Sequence, residues 1–167
     1  MSSSEESIFQ VREYRTADFP HLCAIDRLCF PEAIAYTPEE IALGLAQPGA
    51  LALVAEVRNE VIGFVLACRS KRSLGHIITI DVRAEFRWMG LGKTLMLLVE
   101  QRFRQSGVAR IVLEVSVANA PAIRFYQGLG YVVKRLLPHY YADGSDGYLM
   151  EKSLSGNNGH SAGAVTE

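Results

Sequence analysis

The sequence GHIITIDVRAEFRWMGLGKTLMLLVEQRF, residues 75–103, decides how the rest of this chain folds. Its first part, Ile77 to Val82, is rich in β-branched residues, which predicts a buried strand. Its last part has the three- and four-residue spacing of a helix, with apolar side chains at Leu95, Leu98, Val99 and Phe103. The glycines of Met89-Gly90-Leu91-Gly92 lie between the two, so we expect a tight turn that joins the strand to the helix.

A turn of this kind is suited to an anionic ligand group. The first N–H groups of a helix have no partner within it, and the positive end of the helix dipole lies at the same place, so a phosphate fits there. Arg87 and Lys93 add positive charge. A nucleoside-triphosphate loop needs glycine where Arg87 stands, and a dinucleotide loop needs glycine where Leu95 stands, so neither pattern is met. A helix start kept tight by glycine for packing alone is the alternative interpretation.

Composition limits the class of protein. The chain has 167 residues, of which 49% are hydrophobic and 21% charged, which suits one globular domain. The net charge of −1 gives no general attraction to nucleic acid or membranes, and we expect neither as a partner. Cys23, Cys29 and Cys68 lack the spacing of a metal or redox site, so we expect no metal and three buried free thiols. With no visible signal peptide or membrane span, the expected location is the cytoplasm.

The rest of the sequence predicts a β-α-α-β-β-β-α-β-α-β-β order. The first helix has a predicted apolar face of Leu22, Ile25, Leu28 and Cys29. The second begins at a capping box, Thr37-Pro38-Glu39-Glu40. The predicted strands are Ile8–Tyr14, Leu51–Val57, Val61–Arg69, Ile77–Val82, Arg110–Val115, Tyr131–Leu137 and Gly147–Leu154. We expect a flexible N-terminus over 1–7, one domain over 8–154 and a disordered tail over 155–167.

Two motifs carry a resemblance to a known family. Arg87-Trp88-Met89-Gly90-Leu91-Gly92 fits the pattern Q/R-x-x-G-x-G/A and resembles the acetyl-CoA pyrophosphate loop of the GNAT acetyltransferases. Leu113-Glu114-Val115 with Asn119, Ala122, Tyr126 and Leu129-Gly130-Tyr131 is similar to a second segment of that family. The resemblance implies an α/β (α+β) GNAT fold over Ile8–Leu154. In that fold a mixed, mostly antiparallel sheet is flanked by helices, and its central strands splay apart.

The terminal hairpin indicates which group within the GNAT family the chain resembles. The sequence of this hairpin is Tyr140-Tyr141-Ala142-Asp143-Gly144-Ser145-Asp146-Gly147-Tyr148-Leu149-Met150. It looks like the hairpin of the N-terminal α-amino acetyltransferases, which include RimI-type enzymes acting on ribosomal protein. The resemblance implies direct acetyl transfer from acetyl-CoA to the N-terminal α-amine of a protein or peptide, ribosomal protein being one such substrate. A lysine ε-amine or small-amine acetyltransferase is the alternative, and an inactive acetyl-CoA-binding sensor is a more distant one. We expect a monomer or weak dimer.

The same resemblance assigns the acetyl-CoA site. The backbone of Ile80, Asp81 and Val82 would bind the pantetheine amides, and Asn119 and Tyr126 would contact the cofactor. The pyrophosphate would lie against Arg87, Trp88, Met89, Gly90, Leu91, Gly92 and Lys93. Asp81 departs from the small or apolar residue usual in this strand, so we expect its side chain to face solvent or to meet Arg83 or Arg87.

The catalytic residues implied by the resemblance are Glu114 and Tyr126. Glu114 would be the general base, with a strand residue on a solvated face as the alternative. The Tyr126 phenol would protonate the departing thiolate, with a core tyrosine as the alternative. The substrate would contact Glu32, Tyr36, His76, Tyr140 and Tyr141. Only one of the consecutive Tyr140 and Tyr141 would face a given pocket if that segment were extended.

Overall fold

The computed structural model describes residues 8–155, in which seven strands form one sheet. The strands are β1 (Gln10–Glu13), β2 (Ala50–Val57), β3 (Glu60–Lys71), β4 (Leu74–Val82), β5 (Arg110–Ser116), β6 (Val132–Leu137) and β7 (Gly147–Ser153). The helices are α1 (Phe19–Cys29), α2 (Pro38–Leu45), α3 (Leu91–Gln105) and α4 (Ala120–Gly128), with 3-10 turns at Thr16–Asp18 and Ala84–Met89. None of the helices in this part of the chain has the length and apolar character needed to cross a lipid bilayer.

The sheet opens in the middle, and this opening places the functional site. Its order is β1-β2-β3-β4-β5-β7-β6, with every neighbouring pair antiparallel except β4 and β5. These two parallel strands pair only at Leu74–Arg110, Gly75–Ile111 and His76–Val112. Beyond His76 and Val112 they diverge, and we call this point the fork. The predicted mixed sheet with splayed central strands is confirmed.

Each face of the sheet is covered by a hydrophobic core. The larger core lies between the sheet and α3, where Leu91, Leu95, Met96, Val99 and Phe103 are almost fully buried. The smaller core lies under α1 and α2, around Leu22, Ile41 and Phe64. Because the helices leave the diverging ends of β4 and β5 uncovered, the region beyond the fork stays open.

A β-bulge in β4 turns several side chains toward α1. Leu66 of β3 pairs with Thr79 and Ala67 pairs with Ile77, so Ile78 has no partner on β3. Ile78 and Thr79 therefore both face the α1–α2 side, where Ile78 approaches Gly44 and Thr79 approaches Asp26. The alternation then continues from Thr79 to Asp81. The extra residue thus sets which side chains of β4 meet α1.

The local sequence signals agree with the observed element ends. The Thr37 hydroxyl accepts a hydrogen bond from the Glu40 N–H at 3.2 Å, and the Glu40 carboxylate accepts one from the Thr37 N–H at 2.8 Å. The predicted capping box is confirmed. Arg58 and Asn59 have positive φ, as a tight two-residue hairpin turn requires. The predicted order of strands and helices is confirmed, with ends shifted by a few residues.

Two predictions at this level need correction or lie beyond the structure. Leu28 does not belong to the buried face of α1, because its side chain is 78% exposed. The buried positions are Leu22, Cys23, Ile25 and Asp26, so the inward face includes a charged residue, Asp26, that the predicted face lacked. The predicted flexible N-terminus over 1–7 and all but the first residue of the predicted tail lie outside the described residues.

Candidate active site

A cleft of about 1080 Å³ lies beyond the fork and reaches both faces of the sheet. Its floor consists of residues 77–82 of β4 and 114–116 of β5. One wall comes from the segment after α1, with Phe30, Pro31, Ile34 and Tyr36, together with Tyr140 and Tyr141 of the β6–β7 loop. The other wall comes from the turn before α3 and from α4.

The backbone of β4 offers donors to this cleft. The Arg83 N–H bonds to the Ile62 carbonyl on the β3 side. N–H groups alternate in direction along an antiparallel strand, so those of Ile80 and Val82 face the gap, and that of Asp81 faces β3. Of the three backbone donors predicted here, only Ile80 and Val82 are therefore directed into the cleft.

The turn before α3 and the first turn of that helix are the segment predicted to bind an anion, and we call this segment the cradle. Gly90 has φ +74° and ends the 3-10 turn, and no side chain caps the helix that follows. The first backbone bond of this helix runs from Thr94 N–H to the Gly90 carbonyl, which leaves the earlier N–H groups of the first turn without a helical acceptor. A Cβ at Gly92 would lie 3.3 Å from the Phe125 ring, so glycine lets α3 and α4 approach closely.

Only some side chains of the cradle line the cleft. Arg87 is tied down by a 2.9 Å bond from its Nε to the Val82 carbonyl, and Arg87 and Lys93 both line the cleft. The Trp88 indole is 79% exposed and donates to the Glu85 carbonyl at 3.0 Å. Leu91 is fully buried in the core. Trp88, Met89 and Leu91 do not line the cleft, so their side chains play no part in it.

A carboxylate and an imidazole meet at the fork. Glu114 Oε2 lies 2.7 Å from His76 Nε2, and both side chains are partly exposed. His76 is the last residue of β4 that pairs with β5. Its partner there is Val112, and Glu114 follows Val112 by two positions. Leu113 and Val115 point into the core on the opposite face. The parallel register thus brings together two residues that are 38 positions apart in the sequence.

Tyr126 reaches the cleft from α4. Its ring packs against Phe125 and Tyr131, with centroids 5.3 and 6.0 Å away, as part of the core on the α3 side. Burial raises the pKa of the Tyr126 phenol, and the nearby acidic groups of Asp81 and Tyr141 raise it further. The phenol therefore keeps its proton throughout the neutral range.

Three tyrosines surround the Glu114 side of the cleft. Tyr36 donates from its hydroxyl to the Ile78 carbonyl at 3.3 Å, and the rings of Tyr140 and Tyr141 stack edge to face with centroids 5.0 Å apart. Burial, Tyr140 and Glu114 raise the pKa of Tyr141 to about 12. In an extended segment only one of two consecutive side chains could face the cleft. Tyr140 and Tyr141 lie in a turn instead, and both side chains line the cleft.

Comparison with known proteins identifies the family. The model of the acetyltransferase (GNAT) family matches residues 10–131. The chain belongs to the GNAT family. An N-alpha-acetyltransferase of Sulfurisphaera tokodaii is 32% identical to this GNAT chain over 158 residues, which cover 87% of the chain and 93% of the relative.

Two solved structures show the same GNAT fold. Ard1 from Thermoplasma volcanium is 28% identical with a TM-score of 0.80, and the match covers 87% of this chain and 97% of that one. The ribosomal-protein-S18-alanine N-acetyltransferase of Escherichia coli is 22% identical with a TM-score of 0.79, over 91% of this chain and 97% of that one. The family membership and the match to the Sulfurisphaera N-alpha-acetyltransferase make the chain an acetyl-CoA-dependent N-acetyltransferase.

The residues of this GNAT site fit acetyl-CoA. The uncapped start of α3 offers N–H groups to a pyrophosphate, and the gap beyond the fork offers the N–H groups of Ile80 and Val82 to amide carbonyls. Asn119 lies at the mouth of α4, where its Oδ1 accepts the Ala122 N–H at 3.3 Å as a helix cap. Within the described residues, the amide hydrogens of Asn119 remain free to donate to a ligand.

Two residues predicted for the substrate lie off the cleft. Glu32 is exposed and does not line it, whereas its neighbours Phe30, Pro31 and Ile34 do. His76 does not line it either but contacts it through Glu114. Sequence reasoning missed Cys29, which lines the cleft with its thiol 3.5 Å from the Val82 carbonyl, while Cys23 and Cys68 are buried as predicted.

The prediction for Asp81 is wrong. Its side chain is 2% exposed and makes no ion pair with a basic residue in the described part of the chain. Arg83 pairs instead with Glu60, and Arg87 bonds to a backbone carbonyl. Asp81 faces Asp26 of α1 across the Thr79 hydroxyl. The available signal was Asp26 itself, a charged residue four positions after Leu22 and therefore on the same face of α1.

Proposed function

We propose that this GNAT enzyme transfers the acetyl group of acetyl-CoA directly to the α-amine at the N-terminus of a protein or peptide. The observation that carries the proposal is a single cleft through the split sheet with complementary groups on its two sides. Glu114 and His76 lie on the α1–α2 side, and Tyr126 reaches in from the α3–α4 side. The relatives named N-alpha-acetyltransferase support the α-amine as acceptor.

The α3–α4 side holds the cofactor in this proposal. The first N–H groups of α3, with Arg87 and Lys93, bind the pyrophosphate, and Ile80 and Val82 donate to the pantetheine arm. Acetyl-CoA supplies the reactive acetyl thioester. The gap between the diverging strands would hold this arm, and Glu114 lies at the fork where the gap begins.

The α1–α2 side receives the amine. We define the peptide wall as Phe30, Pro31, Ile34 and Tyr36, which lies on the same side of the cleft as Tyr140 and Tyr141. These apolar and aromatic side chains suit the first residues of an extended chain. Glu114 accepts the proton that the α-ammonium must lose before its nitrogen can attack, either directly or through one water. His76 fixes the Glu114 carboxylate and provides a second proton-accepting group toward solvent.

The leaving sulfur receives its proton from the opposite side of the cleft. The Tyr126 hydroxyl retains its proton at neutral pH and donates it as the carbon–sulfur bond breaks. Cys29 lines the cleft, but burial raises the pKa of its thiol, so it stays protonated and is a weak nucleophile. We therefore propose a ternary complex with no acetyl-enzyme.

Steady-state kinetics on a peptide with a free N-terminus test these assignments. Glu114→Gln and Tyr126→Phe each remove one proton-transfer group and should lower kcat about 100-fold or more. Calorimetric Kd values for acetyl-CoA should stay close to the wild-type value. Tyr148→Phe is a matched control, because Tyr148 is a tyrosine of β7 that does not line the cleft. Wild-type turnover in the Glu114→Gln/Tyr126→Phe double variant would refute the mechanism.

The finer substrate assignment is also a proposal. We infer protein N-termini in general, with ribosomal protein as one candidate class and lysine or small amines as the competing acceptors. All three cysteines are free thiols, which supports action in the reducing cytoplasm. Acetylation of full-length candidate proteins and of their N-terminally blocked forms separates these classes.

A further inference from the structure

Two aspartates lie buried against each other beside the peptide wall. Asp26 of α1 is 0% exposed and Asp81 of β4 is 2% exposed. The Thr79 hydroxyl lies between them, 2.9 Å from Asp81 Oδ1 and 3.5 Å from Asp26 Oδ1. Within residues 8–155 neither carboxyl forms an ion pair with Lys, Arg or His.

Two ionised carboxylates are not stable in this arrangement. Each would lose its hydration, and each would repel the other at short range with no cation to offset the charge. Carboxyl pairs in such sites hold one proton between them. The pair therefore carries a single negative charge over the neutral range.

The hydrogen bonds indicate which residue holds the charge. Asp26 Oδ2 accepts the Tyr36 N–H at 2.7 Å, and its Oδ1 is near the Thr79 hydroxyl. Asp81 Oδ2 is buried and has no donor in the described part of the chain. A proton on Asp81 turns this oxygen into a donor toward Asp26. Burial and the adjacent Asp26 charge both raise the pKa of Asp81 well above that of an ordinary aspartate.

Other charged and titratable groups around the pair do not replace this proton. Arg87, from the turn before α3, lowers the pKa of Asp81, but it is exposed and bonded to the Val82 carbonyl. Cys29 on α1 and Tyr126 on α4 are both kept neutral by burial. Glu40 on α2 adds negative charge, which further favours keeping the proton. Tyr36, on the segment after α1, is likewise held neutral by burial.

The pair connects the peptide wall to the strand that carries the cleft. Asp26 receives the backbone N–H of Tyr36, and the Tyr36 hydroxyl binds the Ile78 carbonyl at the bulge. Asp81 lies three residues further along the same strand and lines the cleft. Separation of the two carboxyls would thus move α1, and with it the segment from Phe30 to Tyr36, away from β4.

We propose that Asp26 and Asp81 share one proton at neutral pH and that this proton-bridged pair positions the Tyr36 side of the peptide wall. The positioning half of this statement rests on the proposed function, whereas the shared proton does not. Asp81 has a raised folded-state pKa, so the pair stabilises the fold at low pH and loses this contribution as pH rises through that pKa. Asp81→Asn cannot lose its bridging hydrogen.

Infrared spectra at pH 7 test the shared proton without any substrate, with the spectrum of each variant subtracted from that of the wild type. The wild-type protein should show the carbonyl stretch of a protonated carboxylic acid, and Asp81→Asn should lack it because its amide donates to an ionised Asp26. Glu85→Gln, an exposed carboxylate on the turn before α3, should leave the band unchanged. Absence of the band in the wild type, or its persistence in Asp81→Asn, would overturn the shared proton.

Peptide kinetics test the positioning. Asp81→Asn should keep the wild-type KM for peptide within about threefold at pH 7, because its amide preserves the bridge. Asp81→Ala should raise that KM tenfold or more while kcat falls much less, because it leaves the Asp26 charge without its bridge. If Asp81→Asn raises the KM as much as Asp81→Ala, the positioning is refuted. Failure of the proposed function would appear differently, as no α-amine product from any variant.

Discussion

Replacing Gly75 with alanine would place a methyl group where the Phe103 ring already lies. A Cβ built on Gly75 falls 2.6 Å from Phe103 Cε2 and 2.7 Å from Cδ2, closer than carbon atoms approach without displacement. Phe103 is 3% exposed in the core under α3, so its ring has no open space to enter. Gly75 is also one of the three β4 residues that pair with β5 at the fork.

The expected cost of Gly75→Ala is about 1–3 kcal/mol of unfolding free energy, the range for overpacking a filled core. Urea denaturation followed by circular dichroism measures it, with an unchanged m value as the check on two-state behaviour. Gly128→Ala is the matched control. A Cβ there meets nothing within 4 Å, and alanine favours the helix, so stability should be equal or higher.

A double-mutant cycle identifies the clash as the cause. Phe103→Leu shortens the side chain that blocks the methyl group, so it should be less destabilising in the Gly75→Ala background than alone. We expect a coupling of about 1 kcal/mol. A Gly75→Ala cost within about 0.5 kcal/mol of zero, the range of neutral surface changes, would refute the packing described at the fork. If the costs of Gly75→Ala and Phe103→Leu simply add in the double variant, the contact between these two residues is refuted.

Three further substitutions test separate parts of the structure. Thr37→Ala removes one half of the capping box and should lower the unfolding free energy by about 1 kcal/mol, and an unchanged urea midpoint would contradict this role. Cys29→Ala should keep kcat within about twofold, because the thiol is not a nucleophile; complete loss of turnover in a folded variant would instead favour an acetyl-enzyme. Lys152→Met removes the cation that bonds the buried Glu100 at 2.9 Å, and should cost about 3 kcal/mol by urea denaturation. That is the lower end for a broken buried pair, since Tyr131 still bonds Glu100 and Arg104 lies 3.9 Å from its Oε2, and a cost under 1 kcal/mol would contradict it.

Local signals in the sequence predicted the features that depend on local chemistry. Gly90 predicted the turn before α3, and the capping box at Thr37 predicted the start of α2, whereas Gly92, also expected in that turn, lies in the first turn of the helix. The order of strands and helices along the chain came from the residue patterns, whereas the splayed centre of the sheet came from the family resemblance. These predictions succeeded because turn and cap residues act on the backbone within a few positions of themselves.

The environment of Asp81 could not be predicted in the same way. Its partner Asp26 lies on α1, far away in the sequence, and the two meet only because the bulge at Ile78 turns Thr79 and Asp81 toward that helix. A bulge shifts the alternation of a strand without leaving a distinctive residue pattern. The same limit explains the contact of His76 with Glu114, which depends on the register of two parallel strands.

The most direct test of the account is the position of the acetyl group on a peptide. The purified enzyme is incubated with acetyl-CoA and peptides that carry a free N-terminus and one internal lysine, alongside the same peptides with a blocked N-terminus. Tandem mass spectrometry then locates the added acetyl group. The account predicts acetyl on the α-amine of the free peptides and no product from the blocked ones. Acetyl on the lysine of blocked peptides, with none on any α-amine, would contradict it.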